Sequence, residues 1–231
     1  MGFAGGNNVG IREALKRNYE YIMLLNNDTE IEKNCISNLI SGVTDNTITV
    51  PTILFYDYPD IIWYGGGYFD KSIGNCYHYN YKENLKYQKS HKTCDFATGC
   101  CIMFPSKVLQ NELGFNESYF MYFEDAELSI RLLKSGYKIK YIPEARVYHK
   151  VGMSSGGEES PLSTYYTTRN RLFCIKENPD FFGRFTLLKA ILSRYIRIIE
   201  YYLAGKKQWK YIYKGVKDFK KGIRGKVEIK N

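Results

Sequence analysis

The sequence predicts an α/β domain with a basic helical appendage, and three observations carry that expectation. Short apolar runs of strand length alternate with segments of helical period, the pattern of a sheet flanked by helices. The apolar content of 44% in 231 residues is enough for one core. The charge is uneven. The chain holds 33 Lys and Arg against 24 Asp and Glu; from Phe185 onward there are 13 against 3, which leaves 20 against 21 for residues 1–184. The expected organisation is therefore a domain over residues 1–184 and a basic amphipathic tail over residues 185–231.

The chain opens on GFAGGNNVGIREALKRN. Gly5-Gly6-Asn7-Asn8 reads as a turn, and a helix follows over about residues 9–17. Residues 21–25, YIMLL, form a near-continuous apolar run, the mark of a buried strand, which ends in Asn26-Asn27-Asp28-Thr29. A helix over 32–41 and a strand over 48–54 continue the alternation. Residues 61–69, IIWYGGGYF, are extended, and Gly65 to Gly67 predict a bulge or a close backbone approach. Residues 72–92 are polar and rich in tyrosine, a surface excursion in which His78 and His91 are expected to face solvent. Residues 94–104, CDFATGCCIMF, read as a buried strand with a kink at Thr98-Gly99.

The chain is organised around the stretch Tyr119 to His149. Aromatics and a methionine lead into Glu124-Asp125, a helical pattern follows with Leu128, Leu132 and Leu133 on one side, and Gly136 stops it. Acids in a first helical turn meet the positive end of the helix dipole, which stabilises them by about 0.3–1 kcal/mol when exposed. Here Phe120, Tyr122 and Phe123 wall them off from water, so their pKa values are expected to rise, and a carboxylate so placed is a candidate base. A strand then carries the chain past Pro143 to His149. The Gly/Ser-rich residues 151–161 predict a loop, and a helix over 164–177 carries YYTTRNRLF. In residues 185–204 the charged Lys189, Arg194, Arg197 and Glu200 share one arc at about 100° per residue, so the segment is expected to lie in an interface rather than to span one. Residues 207–221 form a second basic amphipathic segment, with Trp209, Ile212, Val216 and Phe219 on one side. Packing of these faces on the domain is the alternative to binding an anionic leaflet.

Three runs, in this order, carry a resemblance: GFAGGNNVGIREAL…YIMLLNNDT, FMYFEDAELSIRLLKSGYKIKYIPEARVYHKVGMS and YYTTRNRLF. Together they resemble family 2 glycosyltransferases of the rhamnosyltransferase-like branch, over roughly residues 2–175. The resemblance implies a GT-A-like fold, a nucleotide-diphospho-sugar transferase with a mixed sheet and flanking helices. The first βα units of the family are not matched, so the expectation is an N-terminally truncated domain whose strand 21–25 has an open edge. It also implies inverting transfer of a sugar, with a lean to rhamnose, from a dTDP- or UDP-sugar to a glycan or lipid-linked acceptor in cell-surface polysaccharide synthesis.

The implied roles are these. Asp125 is the general base, with Glu124 in support. Asn26-Asn27-Asp28 stands where the family has a DxD motif, so Asp28 would hold a divalent cation, Mn²⁺ or Mg²⁺, with His149; Asn26 departs from the first Asp of that motif. Gly6, Asn7, Asn26, Asp28, Arg169 and Asn170 would bind the donor, and Thr98, Gly99 and Cys100 would form the acceptor side. The implied location is cytoplasmic and peripheral, at the inner face of the membrane through residues 185–231. A separate N-terminal fragment is an expected partner. The competing expectation is a non-catalytic remnant or split-enzyme subunit that binds a membrane or a partner.

Some classes are set aside. No nucleic-acid module accompanies the basic tail, so no nucleic acid is expected. The six cysteines lack metal-type spacing and lie in or beside apolar runs, which predicts buried free thiols. Cys100 is not expected to be a nucleophile, because nothing supplies a base and apolar surroundings raise a thiol pKa. No signal peptide and no uncharged apolar run of spanning length occurs.

Overall fold

A computed structural model describes residues 1–89, 93–151 and 160–229. His91 and most of the 151–161 loop lie outside the described residues. The element order is α1 (Gly2–Lys16), β1 (Tyr21–Leu25), β2 (Thr29–Ile31), α2 (Cys35–Ser41), β3 (Thr47–Phe55), β4 (Tyr58–Tyr64), β5 (Gly67–Asp70), β6 (Asn75–His78), β7 (Cys101–Pro105), α3 (Ser106–Glu112), α4 (Glu124–Lys134), β8 (Lys138–His149), α5 (Pro161–Glu177), α6 (Pro179–Phe182), α7 (Thr186–Leu203) and α8 (Trp209–Lys220).

The main sheet runs β1-β7-β3-β8-β2, with β4 also paired to β3, and β5-β6 is a separate hairpin. It is a mixed sheet: β3 and β8 are parallel and the other pairs antiparallel. Strand β3 sits at its centre. Eight of its nine residues are buried, because helices or loops cover both faces, and so it reads TITVPTILF without polar alternation. Among the described residues β1 has a partner on one side only.

Three elements differ from the expectation. Gly5 to Asn8 are helical, not a turn. The turn letters are overridden by tertiary contact: Asn8 is buried, its Nδ2 donates to Phe115 O at 2.8 Å, and Phe115 N donates to its Oδ1 at 2.8 Å. One amide thus pairs with a passing backbone as a strand would, and Ala4, Gly5 and Ile11 share the buried face. Second, the strand expected over 94–104 is regular only from Cys101; residues before it are buried but irregular. Third, His78 is half-buried, not solvent-exposed: it sits in β6 with its ring stacked on Phe96, and its Nδ1 donates to Trp63 O at 2.8 Å. The triple glycine is a close approach, since a Cβ on Gly67 would stand 2.7 Å from Phe96 O.

The two tail helices differ in how they are used. Helix α8 buries Ile212, Val216 and Phe219 against α5, with Phe173 and Phe219 rings 5.0 Å apart. A Cβ on Gly215 would meet Thr168 at 3.0 Å, so the two helices touch backbone to side chain there. The chain after α8 returns to the domain, where Gly225 N donates to Ser118 O and Val227 N to the Tyr166 hydroxyl. Helix α7 buries Thr186 and Ala190 but leaves Leu188, Leu192, Ile196, Ile199 and Leu203 54–77% exposed.

Candidate active site

Two pairing registers assemble one end of a cleft of about 570 Å³. In the antiparallel β1–β7 pair Leu25 faces Cys101, so the chain leaving β1 runs beside the chain entering β7, and Asn26 N donates to Cys100 O at 2.9 Å. In the β2–β8 pair Thr29 faces His149. Asp28 and His149 are thereby neighbours, and the Asp28 Oδ1 to His149 Nε2 distance is 3.3 Å. Burial lowers the His149 pKa, and the Asp28 carboxylate opposes that shift. The Trp63 ring meets the His149 ring edge-on at 4.8 Å.

Helix α4 supplies the second group. Its first residues are approached through a tight loop in which Phe120, Tyr122 and Phe123 all have φ between 64° and 69°, a region non-glycine residues rarely occupy. Asn170 holds that loop: its Nδ2 lies within hydrogen-bond distance of the carbonyls of Tyr119, Met121 and Tyr122, at 2.8–2.9 Å. The loop turns Glu124 and Asp125 into the cleft. Asp125 is tied on both oxygens, accepting from Gly99 N at 3.0 Å and from Ala126 N at 2.8 Å. Glu124 is 5% exposed, and its Oε2 is buried without a hydrogen-bond partner among the described residues.

The two carboxyls therefore differ although they are adjacent. Burial, then the charge of Asp125, pushes Glu124 well above the usual carboxylate range. Burial raises Asp125 too, but the two N–H groups stabilise its charge. When the pair shares a single proton, Glu124 keeps it and Asp125 is the anion.

Of the other residues singled out in the sequence, Thr98, Gly99 and Cys100 line the same cleft. A Cβ on Gly99 would stand 2.8 Å from the tip of the Phe3 ring, so a larger residue there would push that ring aside. The Cys100 thiol is 3% exposed, and burial first of all pushes it well above its ordinary value, which leaves it inert. Gly6 is exposed and Asn7 half-buried on α1; neither lines the cleft.

Arg169 and Asn170 do not face the cleft, contrary to the expectation. Arg169 is 0% exposed, stacks on Tyr165 and Tyr166, and donates to Asn170 Oδ1, to Tyr165 Oη and to Gly225 O. A helix turns about 100° per residue. Arg169 and Asn170 lie on the side of α5 that meets the α4 loop and the C-terminal segment, and that rotation brings Arg171 to the cleft in their place.

A divalent cation is the group the sequence implies here. Among the described residues no cluster of three His, Cys, Asp or Glu side chains occurs. Asp28 and His149 fit a smaller role, because a cation shared with a diphosphate needs only one or two protein ligands beside the phosphate oxygens. His149 Nδ1 is buried without a hydrogen-bond partner among the described residues, so the imidazole is held by packing and by Asp28 alone.

The model of "Glycosyl transferase family group 2" matches residues 21–203. The chain belongs to this glycosyltransferase family. It is 31% identical over 181 residues to the "Low-salt glycan biosynthesis hexosyltransferase Agl10" of Haloferax volcanii, covering 74% of this chain and 55% of that protein. It is 25% identical over 195 residues to the "dTDP-rhamnosyl transferase RfbF" of Shigella flexneri, covering 77% and 60%. The chain thus spans little more than half the length of these relatives. A shorter match, 35% over 69 residues, covers 30% of this chain and 22% of the "N-acetylglucosaminyl-diphospho-decaprenol L-rhamnosyltransferase" of Mycobacterium tuberculosis. Among solved structures, GalNAc-T7 with UDP, GalNAc and Mn²⁺ superposes with a TM-score of 0.55 at 17% identity, covering 96% of this chain and 44% of that one. The mixed sheet with flanking helices is the GT-A-like fold.

Within this glycosyltransferase fold four cleft residues carried no signal in the sequence: Trp63, His78, Arg171 and Arg194. Trp63 and His78 come from β4 and β6, and no spacing links them. Arg194 belongs to the tail helix, where it reads as one more surface charge.

Proposed function

We propose that this chain transfers a sugar from a nucleotide-diphosphate sugar to a hydroxyl of a glycan or lipid-linked acceptor, with inversion. The observation that carries the reading is the adjacent carboxyl pair: Asp125, fixed by two N–H groups, stands in the same cleft as Asp28 and His149. Asp125 takes the proton of the attacking hydroxyl while the new O–C bond forms at the anomeric carbon and the bond to the diphosphate breaks. The nucleoside diphosphate leaves with the bonding electrons. Glu124, protonated, orients the acceptor beside the base. Asn26, Asp28 and His149 lie on the donor side and Thr98 to Cys100 beneath the acceptor. A bound Mn²⁺ or Mg²⁺ would supply positive charge to the departing diphosphate. A dTDP-sugar, with rhamnose the leading case, follows the dTDP-rhamnosyl and L-rhamnosyl names of two relatives. Isothermal titration of dTDP- and UDP-sugars into the chain tests the reading directly; binding of neither would leave the non-catalytic alternative.

Asp28→Ala is expected to remove activation by Mn²⁺ or Mg²⁺, because Asp28 carries the only formal charge that this pair offers a cation. His149→Ala is expected to weaken the metal less, and Mn²⁺ more than Mg²⁺, since imidazole suits the softer ion. Transfer rates against metal concentration measure both effects. Full activity in excess EDTA would refute the assignment.

The reading includes a peripheral position on the inner face of the membrane, and the burial of the α8 apolar side supports α7 as the contact. The apolar side of α8 is used up on α5, whereas α7 carries an exposed stripe at spacings of three and four. Exposed Lys189, Arg197, Lys206, Lys207 and Lys210 surround it, so the occupant is an anionic leaflet. The double change Leu192→Glu and Ile196→Glu, both at exposed positions, is expected to abolish flotation with phosphatidylglycerol vesicles without lowering Tm. Undiminished flotation of that variant would exclude α7 as the contact.

A further inference from the structure

Two arginines in the cleft have no place in the chemistry described above. Arg171 on α5 is 7% exposed, and two of its donors are committed: Nε to Gly74 O at 3.0 Å and Nη2 to Ile73 O at 2.6 Å. Those bonds fix the guanidinium and leave Nη1 for a ligand. Arg194 reaches the same wall from α7, and its Nε is buried without a hydrogen-bond partner among the described residues. Burial, and then the neighbouring Arg194 charge, pull the Arg171 pKa down to about 10; the Asp70 carboxylate is the weakest of the opposing influences. Burial, and then Arg197, likewise lower Arg194. Two cations are thus held together in a half-dry cleft, and neither has a carboxylate partner among the described residues. Such a pair is costly unless an anion completes it.

Its position along the cleft says which anion. The Trp63 ring packs on both His149 and His78, at 4.8 and 4.7 Å, so the C-terminal end of β6 stands beside the Asp28–His149 pair. The other end of β6 begins at Asn75, next to Gly74, whose carbonyl holds Arg171. Asp125 is tied to Gly99, beside Cys100, whose carbonyl takes Asn26 N. The arginines therefore lie at the end of the cleft away from Asp28 and His149. The donor diphosphate belongs with Asp28 and His149 and the attacking hydroxyl with Asp125. A group at the far end is joined to the acceptor.

We propose that Arg171 and Arg194 form an anion subsite for a phosphate or diphosphate ester carried by the acceptor. The assignment to the acceptor rests on the transferase reading above; the anion site itself does not. Guanidinium forks match phosphate oxygens, and Arg171 is pre-set by its two carbonyl partners. The same helix that supplies Arg194 carries its exposed apolar stripe on the opposite side, at roughly 100° per residue.

The test is calorimetric titration of the 231-residue chain in EDTA, so that no cation draws the probe to Asp28. The probes are citronellyl diphosphate and inorganic pyrophosphate, with citronellol as the uncharged control. Both anions are expected to bind and citronellol not to compete. Arg194→Gln should weaken both by at least about 10-fold, the loss of one charge-assisted contact. Arg171→Lys, which keeps the charge but not the fork, should weaken them less. The double variant Lys138→Gln and Lys140→Gln, in a separate basic hollow of the surface, should bind as the parent does. Equal loss in that variant, or none in Arg194→Gln, would overturn the subsite. A second arm repeats the titration with UDP and Mn²⁺ in saturating amounts. Undisturbed citronellyl diphosphate binding supports the acceptor assignment; displacement by UDP would put the arginines on the donor and overturn it. A chain that binds the anion through Arg194 but binds no nucleotide sugar would retain the subsite and refute the transferase reading.

Discussion

Asp125→Asn is expected to lower the rate of sugar transfer by at least about 10²-fold, the scale of general-base catalysis, with donor binding little changed. Asparagine preserves shape and can still accept from Gly99 N and Ala126 N, so the loss isolates basicity from position. Glu124→Gln should cost much less, because the glutamine keeps the hydrogen-bonding form that a protonated Glu124 already has. The pH profile provides a second check. A base must be ionised, so transfer falls as pH drops through the Asp125 pKa, and burial places that limb above the ordinary carboxylate range. The limb should vanish in the Asn variant. If Glu124→Gln did the greater damage, the base would be Glu124 and the two roles would have to be exchanged.

The second large effect concerns a residue that touches no substrate. Asn170→Ala is expected to destabilise the fold by about 2–3 kcal/mol, since it strips the shared donor from three carbonyls on the α4 approach loop and an unsatisfied buried acceptor costs about 1–3 kcal/mol. At this chain length that is a Tm drop on the order of 5–10 °C. The loop holds three residues at positive φ; Tyr119 O keeps its bond from Met121 N, but the tie from Asn170 to the loop is gone, so transfer should fall with stability. Thermal unfolding and transfer rate in the same preparation measure both. An unchanged Tm would show that the loop holds itself.

These predictions differ in how far the sequence alone leads to them. The Glu124-Asp125 pair was legible because the signal is local: acids at a helix start after consecutive aromatics. Asp28 and His149 became candidates only through the family resemblance, since an acid after an apolar strand and a histidine at a strand end are ordinary letters by themselves. What separates Glu124 from Asp125 was not legible. It depends on Gly99 N, which comes from a segment 26 residues earlier in the chain. Asn8 shows the reverse error. Its letters and those of Gly5 and Gly6 favour a turn, but pairing with Phe115, far along the chain, makes helix the better solution.

The sequence by itself determined the α/β class, the longer strands and helices on either side of the acidic pair, the acidic pair as a candidate base, and the basic amphipathic character of residues 185–231. These follow from periodicity, punctuation and composition, which act within a few residues of one another. Only the tertiary structure decided which faces are used. Whether Arg169 or Arg171 meets the cleft depends on the rotation of α5 about its axis, and α8 and the returning C-terminal segment set that rotation by packing on Tyr165, Thr168 and Tyr166. Which tail helix keeps an exposed apolar stripe depends on the same contact. Amphipathicity states that a helix has an apolar side; it does not say what covers it, because burial is a property of pairs of elements and not of one.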